Sequence, residues 1–210
     1  LATSTWERGN PDLKAETSRN IDLSLRKTAG ATTFAVGAFH NRVKDYIYAD
    51  TLDAHESFQL IEYAQRDASF TGIEGQVRRQ LNRMLGATLF GDYVRARLDS
   101  AAGGDRDLPR IPAHRIGLRI DAKWNGWTGE AELYRVGRQD TVAGFENETA
   151  GYNILNLGAS FSGKYQTIPW LFYVKAGNLT DKLAYNHASF IKHAAPLSGR
   201  NLTMGVKLAF

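Results

Sequence analysis

The sequence predicts an all-β fold built from the antiparallel strands of a transmembrane β-barrel, and three observations carry that reading. The first is the terminal segment Arg200-Asn-Leu-Thr-Met-Gly-Val-Lys-Leu-Ala-Phe210, in which Leu202, Met204, Val206, Leu208 and Phe210 share one face and Asn201, Thr203 and Lys207 the other. Period-two alternation makes a strand with a single apolar face. In a membrane only a helix or a closed barrel satisfies the backbone, so such a strand fits a barrel with lipid outside and water inside. The second observation is repetition, because segments of this kind recur along the whole chain. The third is that their connections alternate between short and long.

About nine segments read as strands: 18–27, 31–48, 58–79, 85–98, 113–124, 128–139, 151–162, 170–179 and 200–210. Three fix the facing. Ile21, Leu23 and Leu25 oppose Asn20, Asp22 and Ser24; Ile116, Leu118, Ile120 and Ala122 oppose Arg115, Arg119, Asp121 and Lys123; Leu155, Leu157, Ala159 and Phe161 oppose Asn156, Gly158 and Ser160. In 31–48 and 128–139 the two faces are mixed and the pattern does not assign them.

Short turns are expected at 28–30, 82–84, 125–126 and 162–164, and long polar loops at 49–57, 99–112, 140–150 and 180–199. Outer-membrane barrels have short periplasmic turns and long extracellular loops. A chain finishing at Phe210 on the periplasmic side puts all four long loops outside. Trp124, Trp127, Tyr165 and Trp170 fall near short turns and Tyr46, Tyr48, Tyr93 and Tyr152 near long loops, as two interfacial girdles require.

Composition excludes several function classes. No cysteine is present, so disulfides, thiolate metal sites and cysteine nucleophiles are ruled out. The 26 basic and 22 acidic residues are interspersed, which is a mixed solvated surface and not a nucleic-acid footprint. No run reaches the roughly 20 apolar residues of a transmembrane helix, which a barrel does not need. Nine strands are an odd number where bacterial single-chain barrels have even ones, and Leu1-Ala-Thr-Ser-Thr starts without the pattern of a signal peptide. The chain is therefore expected to be the C-terminal part of a larger barrel.

Two stretches resemble a known family. Gly9-Asn-Pro-Asp-Leu-Lys-Ala-Glu-Thr-Ser18 resembles the loop-to-strand signature of TonB-dependent outer-membrane receptors, and Val174-Lys-Ala-Gly-Asn-Leu-Thr-Asp181 their penultimate-strand signature. The resemblance implies the last nine or so strands of a probable 22-stranded barrel, with the plug and earlier strands not in this sequence. Within the family, Tyr63-Ala-Gln-Arg-Asp-Ala-Ser-Phe-Thr-Gly-Ile-Glu-Gly75, Gly91-Asp-Tyr-Val-Arg-Ala-Arg97, Arg110-Ile-Pro-Ala-His-Arg-Ile-Gly117, Tyr134-Arg-Val136 and Asn186-His-Ala-Ser-Phe-Ile191 are similar to zinc-uptake receptors. It implies energised import into the periplasm with no enzymatic step and no resident cofactor. Zinc is the implied cargo, with haem or a ferric siderophore as the alternative. The implied partners are outer-membrane lipid, the inner-membrane TonB energy-transducing complex through the plug, and the barrel assembly machinery through Phe210. Nucleic acid is not among them.

The residues offer two candidate constellations. Arg115, Arg119 and Asp121 on one strand, with Glu130 and Glu132 on the next, should face the lumen, where they line a substrate path, dock a plug, or simply solvate the wall. Imidazole and carboxylate suit Zn²⁺, so Asp53, His55 and Glu56 in one long loop and His187 and His193 in another are candidate external ligands. His114, next to Pro112-Ala113, reads as structural. Ser189 with His187 and Asp181 is the one local grouping a hydrolase could use, and it lacks an evident oxyanion hole. An outer-membrane barrel hydrolase and a soluble β-sandwich binding protein are the readings from other classes.

Overall fold

A computed structural model describes residues 4–55, 58–99 and 106–209. Its elements are the strands β1 (Thr5–Arg8), β2 (Thr17–Lys27), β3 (Thr32–His55), β4 (Phe58–Gln80), β5 (Leu85–Leu98), β6 (Arg115–Trp124), β7 (Trp127–Val136), β8 (Tyr152–Tyr165), β9 (Ile168–Gly177) and β10 (Asn201–Leu208). They form one sheet in which β2 to β10 follow chain order as antiparallel neighbours. The sheet is open, with β2 and β10 at its edges. Glu56 and Phe210 lie outside the described residues.

The register confirms the expected facing. Arg119 pairs with Thr88 on β5 and Glu132 on β7, and Glu132 with Asn156 on β8, which makes one polar inner face across these strands. The opposite face is apolar and open: Leu23 is 75% exposed, Ile21 73% and Leu202 63%. A soluble sandwich would bury that face against a second sheet, and no second sheet is present among the described residues. The buried apolar side chains instead form small clusters under the long loops, Tyr48, Ala68, Ala96, Leu98 and Leu108 in one and Tyr152, Ile154 and Ala184 in another.

Four expectations are corrected. The tenth strand, β1, was not anticipated, since its four residues carry no alternation; it adds in parallel to Gln59–Glu62 of β4, beyond the point where β5 pairs. The expected loop at 49–57 continues β3 and β4 as paired strand to His55 and Phe58. Both faces of that extension meet water or loops, so no alternation is required and the pattern hides it. The turn expected at 162–164 is strand, and the reversal comes at Gln166 (φ 53), after Tyr165 pairs with Ile168. Of the four tyrosines expected in an outer girdle, only Tyr93 is exposed. Tyr46, Tyr48 and Tyr152 pack into the clusters under the loops. At the short-turn end Tyr165 is 71% and Trp124 63% exposed and Trp127 is exposed too, while Trp170 is half-buried against Phe161.

Two local devices set the frame. Asn125 (φ 43) and Gly126 (φ 82) give the two-residue turn between the paired Trp124 and Trp127 the left-handed backbone of a type I′ hairpin. At the other end of the sheet, Gln65 ties the 9–18 segment down: its Oε1 accepts from Lys14 N (2.6 Å) and its Nε2 donates to Lys14 O and Asp45 O (2.7 Å each). Asp45 (φ 56) sits in the β-bulge between Val43 and Tyr46.

Candidate functional site

The inner face between β4 and β8 carries a ladder of charges. Arg115 on β6 reaches Asp92 on β5 (2.7 Å), and Arg119 reaches Glu132 on β7 (2.6 Å) with Glu130 at 3.8 Å. Asn156 Nδ2 donates to the other oxygen of Glu132 at 3.2 Å. Arg78 on β4 crosses β5 to pair with Asp121 on β6, its second branch at 2.8 Å. That crossing is possible because Gly86 lies beneath it; a Cβ there would stand 2.2 Å from the guanidinium. All five inner residues named from the sequence therefore lie on one face, and each has a cross-strand partner.

Phe90 is a member of this wall that the charge pattern did not reveal. Its ring lies over Gly117, the residue opposite it on β6, and a Cβ at Gly117 would fall 2.3 Å from the ring. Arg115 and Arg119, two residues to either side of Gly117, hold their guanidinium carbons 5.7 and 5.6 Å from the ring centroid. The signal was present as a glycine inside a strand opposite an aromatic. Together with Glu74, Tyr134 and Asn156 these residues line an open groove of about 830 Å³. Paired charges of both signs make the groove a polar surface of low net charge.

A second cluster knits three long loops together. Glu146 accepts from Arg110 N (2.8 Å) and Ala143 N (3.3 Å), and its Oε1 lies 3.2 Å from His187 Nε2, off the hydrogen-bond line. Thr149 Oγ1 stands 2.7 Å from His187 Nδ1, and Lys192 Nζ donates to Asn147 O (2.6 Å) and reaches Nδ1 at 3.4 Å. Nδ1 of His187 thus lies toward Thr149 and Lys192, and Nε2 toward Glu146. Arg110 also stacks 3.9 Å from the Phe190 ring centroid. Burial pushes the Glu146 carboxyl upward, but the His187 ring and the two amides outweigh it and hold it below the usual glutamate value. Burial lowers Lys192 and Arg110 from theirs.

The external metal candidates are not gathered into one site. His187 is buried, with Nδ1 beside Thr149 and Nε2 facing Glu146, while the His193 ring lies tilted against Tyr185 at 5.4 Å. Asp53 and His55 stand two apart on the β3 extension and point to the same side. Asp53 Oδ1 accepts from Ala54 N. Among the described residues no group of three or more His, Cys, Asp or Glu could hold a metal. The Ser189, His187 and Asp181 grouping does not assemble either: Ser189 caps Ile191 N, Asp181 holds Arg200, and His187 belongs to the Glu146 cluster. His114 packs its ring on Gly137, where a Cβ would stand 2.1 Å away.

A family model described as TonB dependent receptor-like, beta-barrel matches residues 1–179. Among solved structures the chain is similar to the copper transporter OprC, with a TM-score of 0.81 at 19% identity over 95% of this chain and 33% of that one. It is similar to BauA, the ferric preacinetobactin receptor from Acinetobacter baumannii, with a TM-score of 0.66 at 18% identity over 91% of this chain and 29% of that one. The FrpB iron transporter from Neisseria meningitidis matches with a TM-score of 0.69 at 16% identity, over 95% of this chain and 32% of that one. The chain thus spans about a third of the length of the structures it matches. At these identities the likeness concerns the fold.

Proposed function

Since the chain belongs to the TonB-dependent receptor β-barrel family, a family of outer-membrane receptors and not of enzymes, we propose that it is the C-terminal part of a receptor that imports a scarce metal, with zinc as cargo. The observation that carries the import reading is the division of one sheet into an apolar outer face and an inner face of paired charges, with three long loops cross-linked at one end. In this reading the inner ladder is the wall against which a plug supplied by the rest of the protein docks. The TonB complex does the work through that plug, and Phe210 guides assembly of the barrel.

Zinc rests on the stretches that resemble zinc-uptake receptors, and the geometry adds the Asp53 and His55 pair. Residues two apart on a strand are about 7 Å apart, a spacing from which both side chains can reach one ion. Haem or a ferric siderophore would need a larger pocket than this pair offers. The test is zinc titration of the complete receptor and of Asp53→Asn/His55→Ala, with zinc-limited growth alongside. Weaker binding and slower growth in the double variant support the reading. Unchanged values remove this pair from capture, and a receptor that ignores zinc while supporting uptake of haem or a siderophore overturns the cargo.

A further inference from the structure

The junction of the three long loops uses the backbone of Arg110 and leaves its charge without an acid. Leu108 and Ile111 anchor this stretch on either side, Leu108 buried in the cluster of Tyr48 and Ala96 and Ile111 packed against it. Between them Pro109 and Arg110 form a turn in which Arg110 has a φ of 60°. A turn with proline at its first central position ordinarily gives that left-handed backbone to glycine or asparagine, so an arginine is held here against its own preference. Its amide holds it, donating to Glu146 at 2.8 Å. Backbone strain persists where surrounding contacts impose it, and it gathers at places where ligands are held.

The guanidinium carbon sits 3.9 Å over the centroid of the Phe190 ring. A cation over an aromatic face keeps the donors on its rim open. Among the described residues nothing accepts from them: Arg110 makes no ion pair and no side-chain hydrogen bond, while Glu146 commits its oxygens to Arg110 N, Ala143 N and the approach of His187. Phe190 is 45% exposed and Arg110 half-buried, so the open donors can be reached from solvent.

Charge and shape set the class of ligand. Lys192, buried in the same junction, donates to Asn147 O, and burial lowers both its pKa and that of Arg110. The Glu146 carboxylate favours the charged form of both, and Arg110 disfavours that of Lys192. Two cations and one carboxylate leave a single positive charge, which one monoanion balances. A carboxylate is planar and meets a guanidinium fork with two parallel hydrogen bonds, so it lies alongside the Phe190 ring without lifting the guanidinium from it. A tetrahedral phosphate places oxygens out of that plane and brings surplus negative charge beside Glu146. We propose that Arg110, backed by Phe190, binds the carboxylate of a small organic acid at the junction of the three long loops. The site uses neither Asp53 nor His55 and does not depend on the cargo.

The test follows the NMR line width of isotope-labelled acetate titrated with the complete receptor in nanodiscs, with acetamide as the neutral isostere and inorganic phosphate as the tetrahedral anion. Acetate should bind and acetamide should not. Arg110→Gln should weaken acetate binding by roughly tenfold, the lower end for a hydrogen bond to a charged group. Arg110→Lys should recover only part of the loss, since an ammonium keeps the charge and lacks the fork. Arg79→Gln, at the short-turn end, where Arg79 donates to Thr32 at 2.7 Å, should leave binding unchanged. Equal binding of acetamide, unaltered acetate affinity in Arg110→Gln, full recovery in Arg110→Lys, or tighter binding of phosphate than of acetate each overturns the proposal. Should the Arg110 variants fail to fold, the three probes compared on the unaltered receptor decide it.

Discussion

Replacing Glu146 by Gln should loosen the junction of the three long loops while leaving the sheet intact. The Glu146 side chain is 10% exposed and that of His187 3%, so the charge lies largely out of water beside Lys192. Glutamine keeps the shape. It loses the negative charge facing Lys192 and Arg110, and its amide NH₂ must meet a donor, either Ala143 N–H on one side or Arg110 N–H, beside His187 Nε2, on the other. A hydrogen bond to a charged group is worth about 1.5–3 kcal/mol, and removing one partner of a buried ionic contact costs about 3–5 kcal/mol. Allowing for residual exposure, a local cost of about 3 kcal/mol corresponds to roughly a 150-fold rise in loop opening. Gln139 and Thr149 report it, since each amide donates to the other's carbonyl (2.9 and 3.0 Å) across the same loop. Hydrogen exchange of these two amides in the complete receptor should accelerate by that factor, while strand amides such as that of Leu118 hold their protection. The carboxyl's lowered pKa sets the pH window. A depressed folded-state value means that stability is present above the unfolded glutamate pKa, about 4.3, and is lost as pH falls through the lower folded value. Protection of Gln139 and Thr149 should therefore persist from pH 7 to 5 and fail only in stronger acid. Less than a fivefold change in the variant at neutral pH would refute Glu146 as the tie.

Three further outcomes follow from the two faces. Leu118→Arg puts a charge on the lipid side and should cost about 2–4 kcal/mol at the bilayer midplane. Arg119→Leu, on the wet side, should cost less, and equal costs in lipid-refolding titrations would overturn the facing. Gly117→Ala drives a Cβ into the Phe90 ring and should destabilise by about 1–3 kcal/mol. In a Phe90→Ala background the same change should be close to neutral, and additive losses in a double-mutant cycle would show that the ring contact is not the cause. Deleting Phe210 should lower outer-membrane abundance on fractionation, and unchanged abundance would remove the terminal aromatic from assembly.

The fold was legible wherever one side of a strand meets lipid. There the sequence must alternate, and β2, β6, β8 and β10 were located and faced correctly because Ile21, Leu118, Leu157 and Met204 have no other place to go. The pattern failed where both sides are wet. Beyond Asp45 the β3–β4 hairpin no longer crosses the apolar band, so residues 49–55 pair as strand with a composition that reads as loop. β1 was invisible for a related reason. A four-residue strand that joins an existing edge needs only free backbone groups, and these leave no trace in side-chain periodicity.

The candidate sites divide along the same line. Arg115, Arg119, Asp121, Glu130 and Glu132 belong to adjacent strands, so period two and one hairpin sufficed to put them on one wall. The loop cluster takes Arg110, Glu146, His187 and Lys192 from three connections, and 36 residues separate the first two. Nothing in a loop's own sequence encodes which other loop it meets. His187 consequently read as a free imidazole available to zinc, whereas burial beside Lys192 gives it an ammonium neighbour that opposes a dication. A ligand reached by its neutral ring would have to displace both Thr149 and Lys192 from Nδ1, or come between Nε2 and Glu146. Capture by His187 and closure of the loop junction are therefore competing uses of one side chain, a competition that the proposed capture by Asp53 and His55 would not face.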